Sequence, residues 1–147
     1  MTKHYEHVQV GYLIVTGLSI AMFISIYLMV TKDFNMIAFV VLIILGITIA
    51  MFTKLITRIE DDVLEIRFGL GIINKRFPLK DIESCQIVKN HWYYGWGIHL
   101  TPHGWLYNVS GWYAVKITMK TGKKYLIGTD VPNELENAIQ KSIDRIS

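Results

Sequence analysis

The pattern of hydrophobic and polar positions along the chain changes near residue 53. Two uncharged apolar stretches come first, at residues 8–31 and 34–53. A helix rises 1.5 Å per residue, so about 20 residues cross the ~30 Å hydrocarbon core of a bilayer. Neither stretch has the polar stripe that a surface helix of a soluble protein shows. The pattern therefore predicts two transmembrane helices, at about residues 10–31 and 35–53, which form a tight hairpin.

Residues 54–147 alternate with the period of two that is typical of β-strands. Leu64, Ile66 and Phe68 share one face of such a strand, and turn-forming residues recur about every ten positions after it. The pattern predicts seven antiparallel strands. We expect them at residues 55–60, 63–68, 72–77, 83–89, 97–101, 112–119 and 123–128.

The last 18 residues predict one amphipathic helix. Asp130 is suited to the N-cap, and Pro132 fits the first turn. Apolar side chains then recur on one face, which predicts that the helix packs on the sheets. These apolar residues are Leu135, Ala138, Ile139, Ile143 and Ile146. The predicted fold is an α+β membrane protein, with a transmembrane hairpin in residues 1–53 and a helix-capped, seven-stranded domain in residues 54–147.

Three short segments of this domain carry a resemblance to a known family. They are residues 94–98 (Tyr-Gly-Trp-Gly-Ile), Gly111 with Ala114-Val115, and residues 127–132, the Ile-Gly-Thr-Asp-Val-Pro turn. The chain resembles the bacterial pleckstrin-homology-like (PH-like) domain family over about residues 55–147. The resemblance implies an antiparallel sandwich or barrel capped by a helix, an arrangement that often follows a membrane hairpin. It implies no particular molecular activity.

The distribution of charge adds a cellular setting. Only four of the 27 charged side chains lie in residues 1–53, and the net charge of +3 is too small to indicate binding to nucleic acid. Lys3, Lys54 and Arg58 flank the apolar segment, whereas Lys32 alone lies in the connecting turn. Positive residues favour the cytoplasmic side, so we expect a multi-pass protein of the cytoplasmic membrane with both termini and the domain inside.

The sequence contains no recognisable catalytic constellation. His91, His99 and His103 are not spaced as metal ligands on one helix or turn. The lone Cys85 excludes a disulfide framework and is expected to be a small buried hydrophobe. We therefore expect a protein that is not an enzyme, with no cofactor, no metal site and no small-molecule substrate.

Eight aromatic residues, including every Trp of the chain, are concentrated in residues 92–113. Trp96 and Trp112 are expected in the core. The consecutive Trp92, Tyr93 and Tyr94 cannot all point inward from one short turn. Counting strand directions from the membrane places these three residues, together with Leu70, at the bilayer interface, where aromatic side chains with polar tips are favoured.

The same count places two charged turns at the end of the domain that faces away from the membrane. Glu60, Asp61 and Asp62 form the first turn, and Lys120, Lys123 and Lys124 form the last. We expect this end to bind a protein partner, a peptide segment or another copy of the chain, because its acidic turn would repel anionic lipid. The alternatives are that both turns are simply solvated, or that the domain senses a lipid headgroup or envelope stress.

Overall fold

A computed structural model describes residues 3–147 of the chain. The elements, in chain order, are β1 (Lys3–Val10), α1 (Tyr12–Thr31), α2 (Met36–Phe52), β2 (Lys54–Glu60), β3 (Val63–Phe68), β4 (Ile73–Pro78), β5 (Ile82–Lys89), β6 (Gly97–Thr101), β7 (Gly104–Asn108), β8 (Tyr113–Met119), β9 (Lys124–Thr129) and α3 (Pro132–Ile146). Two short 3-10 turns, Leu79–Asp81 and Trp92–Tyr94, precede β5 and β6.

The two apolar stretches form α1 and α2, which pack against each other. Asn35 caps α2, because its side chain accepts hydrogen bonds from the main-chain N–H groups of Ile37 and Ala38. Within the described residues only α1 is long and apolar enough to cross a membrane. The 17 residues of α2 rise about 26 Å, less than the ~30 Å of a hydrocarbon core. The predicted hairpin of two full spans is therefore wrong.

Strand β1 was not expected from the sequence. It pairs antiparallel with β2, from Val10 opposite Lys54 to Tyr5 opposite Ile59. Both apolar helices therefore form the connection along the chain between two neighbouring strands. Polar side chains hide this strand from a search for alternating apolar residues. The inward-facing Gln9, for example, is only 3% exposed.

The strands form two sheets, in the orders β1-β2-β3-β4 and β5-β8-β9-β7-β6. Strands β7 and β9 are parallel, with Tyr107 opposite Ile127, and all other pairs are antiparallel. Residues 3–147 thus contain nine strands in a mixed arrangement, and the predicted seven-stranded antiparallel sandwich is wrong. Strand β7 was missed because its five residues lie between two turn signals, which read together as one long loop.

The hydrophobic core lies between the two sheets. Aromatic rings meet across it, with ring centroids 6.2 Å apart for Phe68 and Tyr107 and 4.8 Å apart for Phe77 and Tyr125. Helix α3 packs on β5 and β8 and buries Leu135 in the same core. The two sheets and α3 together form a sandwich, and the two ends of this sandwich differ in chemistry.

Candidate functional site

The first end, here called the α1–α2 end, is where both apolar helices join the sandwich. The N–H of Gly11 donates to the carbonyl of Thr53 over 2.8 Å, so the chain leaves β1 and returns to β2 side by side. The turn between β3 and β4 rests on the end of α2. The N–H of Gly69 donates to the carbonyl of Lys54, and a Cβ at Gly69 would collide with the carbonyl oxygens of Ala50 and Met51.

Two more segments meet the helices at this end. Residues 109–111 lie against the start of α1, because the Ser110 hydroxyl donates to the carbonyl of Val10 over 3.0 Å. Residues 96–99 lie beside both helices, and a Cβ at Gly97 would be 3.8 Å from the ring of Phe52. The β3–β4 turn and the segments around residues 92–99 and 109–113 therefore surround the base of the helix pair.

Large apolar and aromatic side chains are exposed on these segments. Leu70 and Trp92 are the most exposed, at 76% and 77%. The exposed set, which we call the aromatic collar, consists of Leu70, Ile72, Trp92, Tyr93, Trp96, Trp112 and Tyr113. Exposed apolar patches of this kind mark membrane or partner contacts, and Trp and Tyr are enriched where a bilayer meets water.

The four predicted interface residues lie in two different environments. Leu70, Trp92 and Tyr93 belong to the collar, whereas Tyr94 packs on a second apolar cluster with Leu106 and Leu126, on the opposite face of the second sheet from the core. The ring of Tyr94 thereby holds the Trp92–Tyr94 turn to the sandwich, which leaves the two rings before it outside.

The expectation that Trp96 and Trp112 fill the core is wrong. Their exposed fractions are 41% and 54%. The space between the sheets is filled by aliphatic side chains together with Phe68, Phe77 and Tyr107. Sequence alone could not predict which of the eight aromatic residues of this region are buried, because the direction of each ring depends on turns whose geometry is set by distant contacts.

A wide apolar groove of about 470 Å³ runs between the aromatic collar and the helices. Its walls include Leu13 and Gly17 of α1, Phe52 of α2 and Trp96 of the collar. The ring of His99 closes one side, and its Nε2 lies 2.5 Å from the carbonyl oxygen of Trp96. The collar and the helices thus form one continuous apolar surface.

The opposite end of the sandwich carries the two charged turns. The acidic turn uses Asp61 and Asp62 at positive φ, +48° and +60°, which aspartate tolerates better than most residues. The Leu79 N–H donates to the Asp62 carbonyl over 2.9 Å, and the Lys120 N–H donates to the Asp81 carbonyl over 2.8 Å. The 3-10 turn before β5 therefore links the acidic turn to the lysine turn.

Ion pairs change the charge that this end presents. Arg58 lies 3.2 Å from a carboxylate oxygen of Glu60, and Arg145 of α3 lies 2.6 Å from one of Asp62. Lys120, Lys123 and Lys124 are exposed. The acidic turn is thus partly neutralised by arginines, which weakens the argument that this end repels anionic groups.

Comparisons with protein-family models and with curated proteins found no match to this chain. The geometry of the two ends therefore carries the argument for function. One end joins apolar helices to an aromatic collar, and the other presents charged turns.

Proposed function

We propose that this protein is a membrane-anchored, non-enzymatic binding module. One observation carries the proposal: the two ends of the apolar segment lie next to each other at Gly11 and Thr53, within the end that bears the aromatic collar. Helices that anchor the chain and rings suited to the bilayer interface are thereby on the same side of the sandwich. No residue of α1 or α2 is buried in the described part of the chain, unlike the core helices of a soluble protein.

The proposed location is the cytoplasmic membrane, which α1 crosses, with the sandwich and both termini in the cytoplasm. Lys54 and Arg58 follow the apolar segment at the sandwich side, whereas Lys32 is the only positive residue of the connecting turn. The shorter α2 returns the chain to the sandwich, where Thr53 lies beside Gly11.

The proposed partner surface is the opposite end, because the membrane occupies the α1–α2 end. A protein, a peptide segment or a second copy of the chain would meet the linked turns at Glu60–Asp62 and Lys120–Lys124. The hydrogen bonds that join these turns through Leu79–Asp81 hold the surface in one shape, and this lowers the entropy cost of binding. The resemblance to the PH-like family stays a prediction.

A photo-crosslinking amino acid placed at three exposed positions in living cells tests the proposal. At Leu70 we expect adducts with lipid only, and at Lys123 a discrete crosslinked protein or a dimer of the chain. Lys75, an exposed residue of β4, is the matched control and should give neither. The proposal is wrong if Leu70 fails to reach lipid, or if Lys123 gives the same adducts as Lys75.

A second candidate function, sensing of a lipid headgroup, is favoured by a separate pocket within the aromatic collar. Trp92 and Trp112 line this pocket together with a buried amide, that of Asn90.

A further inference from the structure

A pocket of about 510 Å³ opens on the α1–α2 end, on the side of β5 and β8. It is lined by Lys89, Asn90, His91, Trp92, Trp112 and Tyr113. The N–H of Asn90 donates to the carbonyl of Trp112 over 2.7 Å, which joins the two segments that form its walls. The pocket thus has aromatic walls, one lysine and one buried amide.

The amide of Asn90 lacks hydrogen-bond partners. The residue is only 4% exposed, and neither Oδ1 nor Nδ2 has a partner within residues 3–147. Leaving a buried donor or acceptor unpaired costs about 1–3 kcal/mol, so nearly all such groups in proteins are paired. An amide left unpaired beside a pocket indicates a ligand that offers it one acceptor and one donor.

We propose that this pocket binds the headgroup of a zwitterionic membrane lipid that carries a primary ammonium and a phosphate, as in phosphoethanolamine. The ammonium would donate to Oδ1 of Asn90 and lie against the faces of Trp92 and Trp112, which attract cations. The phosphate would accept from Nδ2 of Asn90 and from Lys89. Both polar atoms of the buried amide are then satisfied by one ligand.

The position of the pocket favours a lipid as the source of this chemistry. Trp112 directly follows the loop at residues 109–111, which lies against the start of α1. Trp92 belongs to the aromatic collar that we place at the bilayer surface. The inference therefore rests on the proposed membrane anchoring, and it adds the class of lipid that the collar recognises.

Access to the amide requires a side chain to move. Both polar atoms of Asn90 are covered from solvent, whereas Trp92 and Trp112 are 77% and 54% exposed. A ring with so much exposed surface loses few packing contacts when it turns aside. The ring would close onto the ammonium once the headgroup has entered the pocket.

The test uses the full chain in a non-ionic detergent, titrated with dihexanoyl phosphatidylethanolamine and, separately, with dihexanoyl phosphatidylcholine, each below its micellar concentration. Tryptophan fluorescence reports binding, since two of the four tryptophans line the pocket. We expect saturable binding of the ethanolamine lipid. Binding of the choline lipid should be about tenfold weaker, because its ammonium has no N–H to pair with Oδ1 of Asn90.

Asn90→Leu removes both polar atoms at nearly constant size, and about tenfold weaker binding of the ethanolamine lipid is expected. The variant should melt at or above the temperature of the parent, because an unpaired buried amide is lost. Asn74→Leu, at an exposed position of β4, is the matched control and should bind normally. If Asn90→Leu does not fold, the surface variant Lys89→Gln takes its place, with Lys120→Gln as control, and weaker binding is again expected.

Equal binding of the two lipids overturns the inference, as does full binding by Asn90→Leu or, where that variant does not fold, by Lys89→Gln. Absence of saturable binding also overturns it. None of these results affects the crosslinking of Leu70 to lipid or of Lys123 to a partner. Failure of the headgroup site is therefore distinguishable from failure of the proposed function.

Discussion

Glu65 is buried on the outer face of the first sheet, where three arginines hold its carboxylate. Arg58, Arg67 and Arg76 each place a guanidinium nitrogen 3.0–3.1 Å from one of its oxygens. Its side chain is only 7% exposed. Burial alone would raise the pKa of Glu65, but the hydrogen bonds from the three arginines outweigh it and lower the pKa to about 2.

Glu65→Gln should destabilise the protein at neutral pH by about 2 kcal/mol, because it leaves three guanidinium groups close together without their shared carboxylate. The folded pKa of Glu65 lies below its usual value of 4.5. The carboxylate therefore stabilises the fold above pH 4.5, and this contribution is lost as the pH falls toward 2. Thermal unfolding in detergent at pH 7 and pH 3, followed by circular dichroism, should show the gap to the parent narrowing in acid.

The control for this measurement is Glu83→Gln, at an exposed position of β5. It should unfold as the parent does at both pH values. A Glu65→Gln gap that does not change with pH would show that the three arginines do not lower the pKa of Glu65.

Among the elements, the β3–β4 turn decides how the sandwich meets the apolar helices. Gly69 and Gly71 both have positive φ, +50° and +86°, which non-glycine residues adopt at a cost. Only at Gly69 would a Cβ collide with the backbone of α2, whereas nothing lies within 4 Å of a Cβ at Gly71. Substitutions at the two glycines therefore distinguish the cost of backbone strain from the cost of losing the contact with α2.

Gly71→Ala should destabilise the protein by about 1 kcal/mol through backbone strain alone. Gly69→Ala should cost at least twice as much, because it also pushes the turn away from the end of α2. Thermal unfolding of both variants compares the costs, and limited proteolysis near residues 69–72 should increase only in Gly69→Ala. Equal melting temperatures for the two variants would contradict the close contact between this turn and α2.

At the scale of the whole molecule, the apolar segment is an insertion between two paired strands. Strand β1 precedes α1 and completes the first sheet, so residues 54–147 alone would leave the edge of β2 uncovered. Tests of topology and binding therefore need the full chain.

The proposed topology is checked by cysteine labelling in a Cys85→Ala background. Cys85 itself is a poor target, since burial raises the pKa of its thiol to about 11. We expect Lys32→Cys to react with a membrane-impermeant maleimide on intact cells, and Lys123→Cys to react only after permeabilisation. Labelling of Lys123→Cys on intact cells would place the sandwich outside.

The periodicity of the sequence located helices and many strands because burial of a side chain follows local spacing. The apolar segments became α1 and α2, and the alternation at Leu64, Ile66 and Phe68 became β3. The stripe that contains Leu135 and Ile139 became the buried face of α3. In each case the residues that decide the element lie within a few positions of one another.

The tertiary structure alone decided which distant segments pair. Val10 pairs with Lys54 although the whole apolar segment separates them in the chain. Tyr107 pairs in parallel with Ile127 although β8 lies between them in the chain. Such pairings depend on loop closure and register, which local hydrophobicity does not encode. The same contacts exposed Trp112, buried Glu65 among arginines and left the amide of Asn90 without a partner, because each of these environments is assembled from residues far apart in the chain.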